Sequence, residues 1–171
     1  MTIIIDDAGY GDLLFGVVIG GYRPETADFI YDVIDVKYFQ EPLFPQKEYT
    51  SQAQLIALDL VDRLSLLDEE SVMVCRGDIL DKAAEALIDM LGEKRVARVK
   101  VDGEAQRLTE LAYLNELRNI GYEPIEDRTK RWAKSFFHMM RWLKKHPKML
   151  RWSKSGWPRL KRYKLFRDHQ G

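Results

Sequence analysis

Acidic residues recur in the N-terminal part of the chain at points where predicted strands end. Asp6 and Asp7 follow the apolar run of residues 3–5, and Asp78 and Asp102 follow two later apolar runs. The run at residues 3–5 is β-branched throughout, which predicts a strand covered on both faces. A carboxylate beside such a strand is costly unless a cation, a hydrogen-bond donor or a proton compensates its charge. A metal ion is one such compensation.

The connections between the predicted strands should bring these acids together. Helices link the later strands by right-handed crossovers, so the strands that end at Asp6, Asp78 and Asp102 are expected to be parallel. Parallel strands present their C-terminal ends at one edge of the sheet, where open α/β sheets place their sites. Carboxylates that meet there repel one another, and a hard divalent cation such as Mg²⁺ relieves the repulsion. Two such ions would suit an in-line phosphoryl displacement.

Each of these acids also has a purely structural interpretation. Asp78 could cap the helix that follows it, and Asp102 could form a turn with Gly103. Asp7 points to the opposite face from Asp6 in a regular strand, so it contributes to a site only where the strand has begun to turn. Of three further acids, Asp12 is assigned to the hairpin, while Glu104 and Glu110 are candidate extra ligands for which a solvated helix face is the favoured interpretation.

The elements that must position the acids are three strands followed by alternating helices and strands. A glycine-rich corner at residues 9–11 joins the first two strands, and an aromatic and β-branched stretch at residues 29–39 predicts the third. Helices are predicted from Thr50 or Ser51 to about Leu64, from Asp78 to Gly92 and from Gly103 to Gly121, with strands at residues 71–76 and 96–101. The order β-β-β-α-β-α-β-α predicts an α/β protein with a five-stranded mixed sheet and helices on both faces.

Charge divides the chain into two parts. Residues 1–127 hold 12 Lys or Arg against 26 Asp or Glu, whereas residues 128–171 hold 15 Lys or Arg against Asp168 alone. This predicts an α/β domain at residues 1–121 and a basic, Trp-rich extension at residues 122–171. The single Cys75 excludes an internal disulfide and fits a reducing, cytoplasmic setting. No apolar run is long enough to cross a membrane, so no transmembrane segment is expected.

The basic extension repeats a cation followed by tryptophan every ten residues. A helix is predicted at residues 129–145, and extended or irregular structure after Pro147. Cations meet phosphates and aromatic rings stack on bases, so nucleic acid is the first partner considered. An anionic membrane surface and docking on the acidic domain of its own or a neighbouring chain stay open. The residues expected to contact nucleic acid are Arg131, Trp132, Arg141, Trp142, Lys144, Lys145, Arg151 and Trp152.

Several motifs of the acidic part resemble those of the ribonuclease H-like superfamily. Residues 6–11, Asp-Asp-Ala-Gly-Tyr-Gly, are similar to the Asp-Glu-Ala-Gly-Arg-Gly motif of ribonuclease HII. Residues 99–103 and 108–112 resemble that family's last catalytic strand and the helix after it, and residues 76–78 lie where the family has its third acid. The likeness covers about residues 1–121 and extends to endonuclease V and to uncharacterised archaeal families of this fold.

This resemblance implies a ribonuclease H-like fold and a divalent-metal-dependent nuclease. It assigns Asp6, Asp7, Asp78 and Asp102 to the binding of Mg²⁺ or Mn²⁺ and to the hydrolysis of nucleic-acid phosphodiesters, which leaves a 3′-hydroxyl. It also places Gly9, Tyr10 and Gly11 at the nucleic-acid backbone, with Tyr10 where the family has a basic residue. The alternative is a non-catalytic nucleic-acid-binding or self-associating protein on the same fold.

Overall fold

A five-stranded mixed sheet forms the centre of the protein in a computed structural model that describes residues 1–125 and 132–167, apart from the side chain of Trp132. Strands β1 to β3 form an antiparallel meander, and β4 and β5 extend it in parallel, in the order β3-β2-β1-β4-β5. The predicted α/β class and mixed sheet are therefore confirmed. The strands are β1 (Thr2–Ala8), β2 (Val17–Arg23), β3 (Asp28–Ile34), β4 (Ser71–Cys75) and β5 (Val96–Val99).

Helices pack on both faces of this sheet. They are α1 (Glu48–Arg63), α2 (Asp81–Leu91), α3 (Gly103–Asn119), α4 (Trp132–Lys145) and the short α5 (Lys164–Arg167). On one face Ile3, Ile5 and Val74 share a core with α1 and α2. On the other face Ala8 and Val18 lie in a second core with α3 and α4. Within the described part of the chain, no helix is long and apolar enough to span a membrane.

Two predicted boundaries are wrong. The third strand ends at Ile34, because Asp35 accepts a hydrogen bond from the backbone N–H of Lys37 and starts a 3-10 turn at Val36–Phe39. Helix α1 starts at Glu48, not at a Thr50 or Ser51 cap, and the Thr50 hydroxyl donates to the Lys47 carbonyl. After α4 the predicted extended or irregular structure takes the irregular form, with 3-10 turns at Pro147–Trp152 and Pro158–Arg162.

The C-terminal extension is attached to the sheet domain through its backbone. Leu14 and Ser153 form an isolated antiparallel bridge. The Phe15 N–H donates to the Trp152 carbonyl at 2.7 Å, and the Lys154 N–H donates to the Leu13 carbonyl at 2.8 Å. The segment that follows β1 is therefore covered directly by the extension, which places the two parts of opposite charge side by side.

Lys154 is fully buried at this junction, which is unusual for a lysine. Its Nζ donates to the carbonyl oxygens of Asp12 and Leu14, at 2.8 and 3.1 Å. The ammonium also lies 5.5 Å from the centre of the Phe39 ring. Lys154 thus satisfies the buried Asp12 carbonyl and shares the Leu14 carbonyl with the Tyr113 hydroxyl, which donates to it at 3.0 Å.

Replacing Lys154 by methionine should destabilise the protein at this junction. The substitution Lys154→Met keeps most of the side-chain volume but removes the side-chain donor of the buried Asp12 carbonyl and one of the two donors of the Leu14 carbonyl, so we expect a loss of about 1–3 kcal/mol in the free energy of unfolding. Urea unfolding followed by tryptophan fluorescence measures it. The matched control is Lys148→Met, at an exposed lysine of the extension. Equal stability of the two variants would contradict a structural role for Lys154.

Candidate metal centre

Asp6 and Asp7 lie inside β1, not beyond its end as the sequence suggested. They pair with Gly20 and Ile19 of β2. Pairing of β1 with β4 ends earlier, at Ile5 opposite Val74, so the two acids lie past the last parallel contact. This is the point where the sheet changes from antiparallel to parallel pairing, which is where open α/β sheets form crevices.

The side chains of Asp6, Asp7 and Cys75 converge at this point. One oxygen from each carboxylate and the Cys75 sulfur all lie within 4.8 Å of one another. Asp6 is 4% exposed, whereas Asp7 and Cys75 are half-buried. The Cys75 thiol donates a hydrogen bond to Asp6, and so does the backbone N–H of Asp7. Asp7 faces the turn after β4, because a Cβ atom on Gly77 would lie 3.1 Å from its Oδ1.

Helix α3 brings a third carboxylate, Glu110, close to Asp6. Gly20, the strand partner of Asp6, has no side chain, and a Cβ there would lie 2.5 Å from the Thr109 hydroxyl. The helix therefore approaches the sheet closely at the level of Asp6, and the charge of Glu110 acts on both Asp6 and Asp7. The sequence left Glu110 as a candidate extra ligand but favoured a solvated face for it. Its helical spacing of three from the buried Tyr113 could have indicated otherwise.

Burial and mutual repulsion raise the pKa of both strand acids. Burial is the main cause for Asp6, opposed by the hydrogen bonds from Cys75 and the Asp7 N–H. The pKa of Asp7 rises to about 7, first through burial and then through repulsion by Asp6, Glu110 and Asp78. The charges that act on Asp7 in this part of the structure, those of Asp6, Glu110 and Asp78, are thus all negative. A bound cation would relieve both effects.

The two other predicted ligands differ in their relation to this cluster. Asp78 is exposed at the start of the 3-10 turn after β4, without capping it through its side chain, and its charge acts on Asp7. Asp102 is exposed three residues beyond the end of β5. Glu110, whose charge acts on both Asp6 and Asp7, is the further carboxylate that helix α3 contributes.

The glycine-rich corner predicted to meet nucleic acid is packed against the protein. Gly9 has a φ of +93°, and any side chain there would collide with the Tyr113 ring. The Tyr10 hydroxyl donates to that of Tyr49 at 3.3 Å, and burial raises the Tyr10 pKa above its ordinary value. Gly11, the remaining residue of the corner, is exposed. The corner thus connects the carboxylate cluster to both cores.

The tryptophans of the extension also contact the protein's own rings. Trp142 meets the edge of Tyr122 and lies 4.8 Å from the His146 ring, and Trp152 stacks on Phe15 at 5.7 Å between ring centres. Both are half-buried. Arg131 and the side chain of Trp132 lie outside the described residues. The remaining predicted contacts are exposed cations: Arg141, Lys144, Lys145 and Arg151.

The extension is attached to the acidic domain through contacts in which few acids take part. The positive charge of the extension therefore stays on the outside. The segment from 132 to 167 contains no Asp or Glu, and apolar side chains and backbone hydrogen bonds dock it. Self-docking therefore does not consume the basic surface. The exposed cations of this segment are Lys134, Arg141, Lys144, Lys145, Lys148, Arg151, Arg159, Lys161, Arg162, Lys164 and Arg167.

Stability should respond to pH through Asp7. The folded protein keeps the Asp7 proton up to about pH 7, whereas the unfolded chain releases it near the ordinary value of 3.8, so stability falls as pH rises between these values. Asp7→Asn removes this loss. At about 1.4 kcal/mol per pH unit, its advantage over the natural chain should grow by about 2–3 kcal/mol between pH 5 and pH 8.

Urea unfolding in EDTA at the two pH values measures this advantage. The control is Asp102→Asn, which removes an exposed carboxylate at the same edge of the sheet. An advantage of Asp7→Asn that is equal at pH 5 and pH 8 would contradict the raised pKa.

Comparison with known proteins provides no functional assignment for the carboxylate cluster. No protein-family model, no curated protein and no solved structure matches the chain. The functional assignment therefore depends on what this geometry can do: a buried pair of carboxylates, a third on the facing helix, a fourth after β4, and a basic surface attached beside them.

Proposed function

We propose that this protein is a divalent-metal-dependent nuclease that hydrolyses phosphodiester bonds of nucleic acid. The observation that carries the proposal is the pair Asp6 and Asp7, held in a paired strand with further negative charges around it. Such a cluster costs free energy in the absence of a cation and gains it when one binds. Asp6, Asp7 and Glu110, with Asp78 at the rim, are the residues assigned to the cation.

A ribonuclease H-like fold is part of this proposal. Its support is the sheet order β3-β2-β1-β4-β5, with an acid on the central strand, another after β4 and a third on the helix that follows β5. The departure from the resemblance is the last acid, for which Glu110 replaces Asp102. A reducing, cytoplasmic setting belongs to the same proposal and has the single Cys75 as its support.

The donor set suits a hard cation such as Mg²⁺ or Mn²⁺. Carboxylate oxygens are the ligands that these ions prefer. Burial and the neighbouring Asp6 raise the pKa of the Cys75 thiol, so Cys75 keeps its proton and donates to Asp6 instead of acting as a thiolate ligand. When bound, the ion would activate a water and neutralise charge on the phosphate. Cys75 and the Asp7 N–H would hold the Asp6 carboxylate in a fixed orientation.

The exposed cations of the extension support nucleic acid as the substrate. Their neutralisation of phosphates would release counterions and give salt-dependent affinity. Because residues 13–15 join the extension to the segment after β1, the basic surface is attached within ten residues of Asp6 along the chain. The proposal requires that a strand bound on that surface reach the carboxylate cluster.

A non-catalytic nucleic-acid-binding protein is the second candidate. Its support is the near-complete burial of Asp6, which restricts access to one of the central carboxylates. This candidate keeps the basic surface and treats the cluster as protonated and structural. Salt-sensitive binding without metal-dependent cleavage would distinguish it.

Cleavage should depend on Glu110 and not on Asp102. With Mg²⁺ or Mn²⁺ and a panel of DNA, RNA and hybrid substrates, Asp6→Asn and Glu110→Gln should each lower the cleavage rate by about 10²-fold or more, because each removes a charge that would face the ion. Asp102→Asn should stay within about threefold of the natural chain, since its effect on a distant phosphate is screened.

Thermal unfolding of each variant confirms that it is folded. An Asp102→Asn variant that loses activity as Glu110→Gln does would overturn the assignment of ligands. Absence of cleavage by the natural chain across the panel would overturn the proposal that the protein is a nuclease.

A further inference from the structure

The extension and the segment after β3 enclose a pocket of about 510 Å³. This is within the range of pockets that hold small organic molecules. It lies in the basic part of the protein and none of the acids of the carboxylate cluster lines it. Arg151, Lys161 and Ser155 contribute its polar wall, together with Glu41.

The walls of this pocket are held in place by hydrogen bonds between its two segments. The Gln40 side-chain amide donates to the carbonyl oxygens of Arg151 and Ser153, both at 2.9 Å. The Gly156 N–H donates to the Phe39 carbonyl at 2.9 Å. A Cβ on Gly156 would lie 2.7 Å from Phe44, so the two segments approach as closely as glycine allows. The pocket is therefore formed before any ligand binds.

The lining combines positive charge with an apolar floor. Arg151 and Lys161 are exposed cations, and Ser155 adds an exposed hydroxyl. Leu160 and Phe166 are buried apolar residues of the same pocket. A guanidinium and an ammonium suit a phosphate group, because charge-assisted hydrogen bonds are stronger than neutral ones. The apolar floor suits a flat ring, and Glu41 can accept hydrogen bonds from the amino groups of a base.

We propose that this pocket binds the phosphorylated terminal nucleotide of a nucleic-acid strand. A nucleotide is the ligand that joins a phosphate to a flat ring with hydrogen-bonding edges. The rest of the strand would continue over the exposed cations outside the pocket, which a free nucleotide would not contact. The inference rests on the proposed function, since it names the part of the substrate that the extension holds.

Binding to labelled oligonucleotides tests this end-binding pocket with the full chain. Fluorescence anisotropy in EDTA, where no metal-dependent cleavage occurs, compares a single-stranded 12-mer that carries a phosphate at its 5′ end, at its 3′ end or at neither. The natural chain should prefer one phosphorylated form over the unphosphorylated form by about tenfold, as expected for one charge-assisted contact. Arg151→Ala with Lys161→Ala should abolish that preference.

The matched control also removes two positive charges, but at positions that do not line the pocket. Lys134→Ala with Lys148→Ala should weaken all three oligonucleotides to the same extent and keep the preference for a phosphate, because these exposed lysines contribute only general attraction. A loss of preference in the control, or no preference in the natural chain, would overturn the proposal.

Two further arms identify the source of the phosphate. Adenosine monophosphate should compete weakly, and competition equal to that of the phosphorylated 12-mer would overturn a strand end in favour of a free nucleotide. Vesicles that contain phosphatidylglycerol should not bind in a way that depends on Arg151 and Lys161. Vesicle binding that depends on these two residues would overturn the proposal and identify a lipid headgroup as the ligand. End preference without any cleavage contradicts the nuclease alone, and cleavage without end preference contradicts the pocket alone.

Discussion

The placement of two adjacent carboxylates in β1, where the strand pairs with β2 but no longer with β4, is the constraint on which the rest of the structure depends. Asp6 and Asp7 are covered by β2, by the turn after β4 and by α3, and their pKa values rise as a result. Gly20 permits the approach of α3, and Gly9 permits the packing of Tyr113. A fold that needed only a stable sheet would gain more from apolar residues at these positions. The cation proposed above would offset this cost.

The junction between the acidic and basic parts supports the same view. Lys154 reaches backbone carbonyls, and apolar residues of α3 and α4 share one core. Because few acids take part in these contacts, the positive charge of the extension stays on the surface. Electrostatic docking of the two parts would have neutralised it. The arrangement instead leaves a negative cluster and an exposed positive surface in one molecule, which the proposed binding of a cation and a polyanion would use.

The local pattern of apolar and polar residues was sufficient to predict the mixed sheet and the position of Asp6 and Asp7 on its first strand. The β-branched run at residues 3–5 and the helical spacing of the later segments depend only on neighbours in sequence. Glu110 could be named from the sequence only as a candidate extra ligand, because its proximity to Asp6 depends on how closely α3 approaches Gly20. Asp102 is exposed, with two residues between it and the end of β5, and its role as a ligand stays a prediction. The burial of Lys154 depends on a contact with Leu14, 140 residues away in the chain. The charge pattern alone predicts that this lysine is exposed.

Anomalous diffraction from crystals of the full chain soaked in Mn²⁺ tests the central claim most directly. The account predicts a manganese peak within coordinating distance of the carboxylate oxygens of Asp6, Asp7 and Glu110, and none at Asp102. The peak should be strong at pH 8 and weak at pH 5, where Asp7 keeps its proton. A map without density at this cluster at pH 8 and millimolar Mn²⁺ would contradict the claim that these carboxylates form a metal centre.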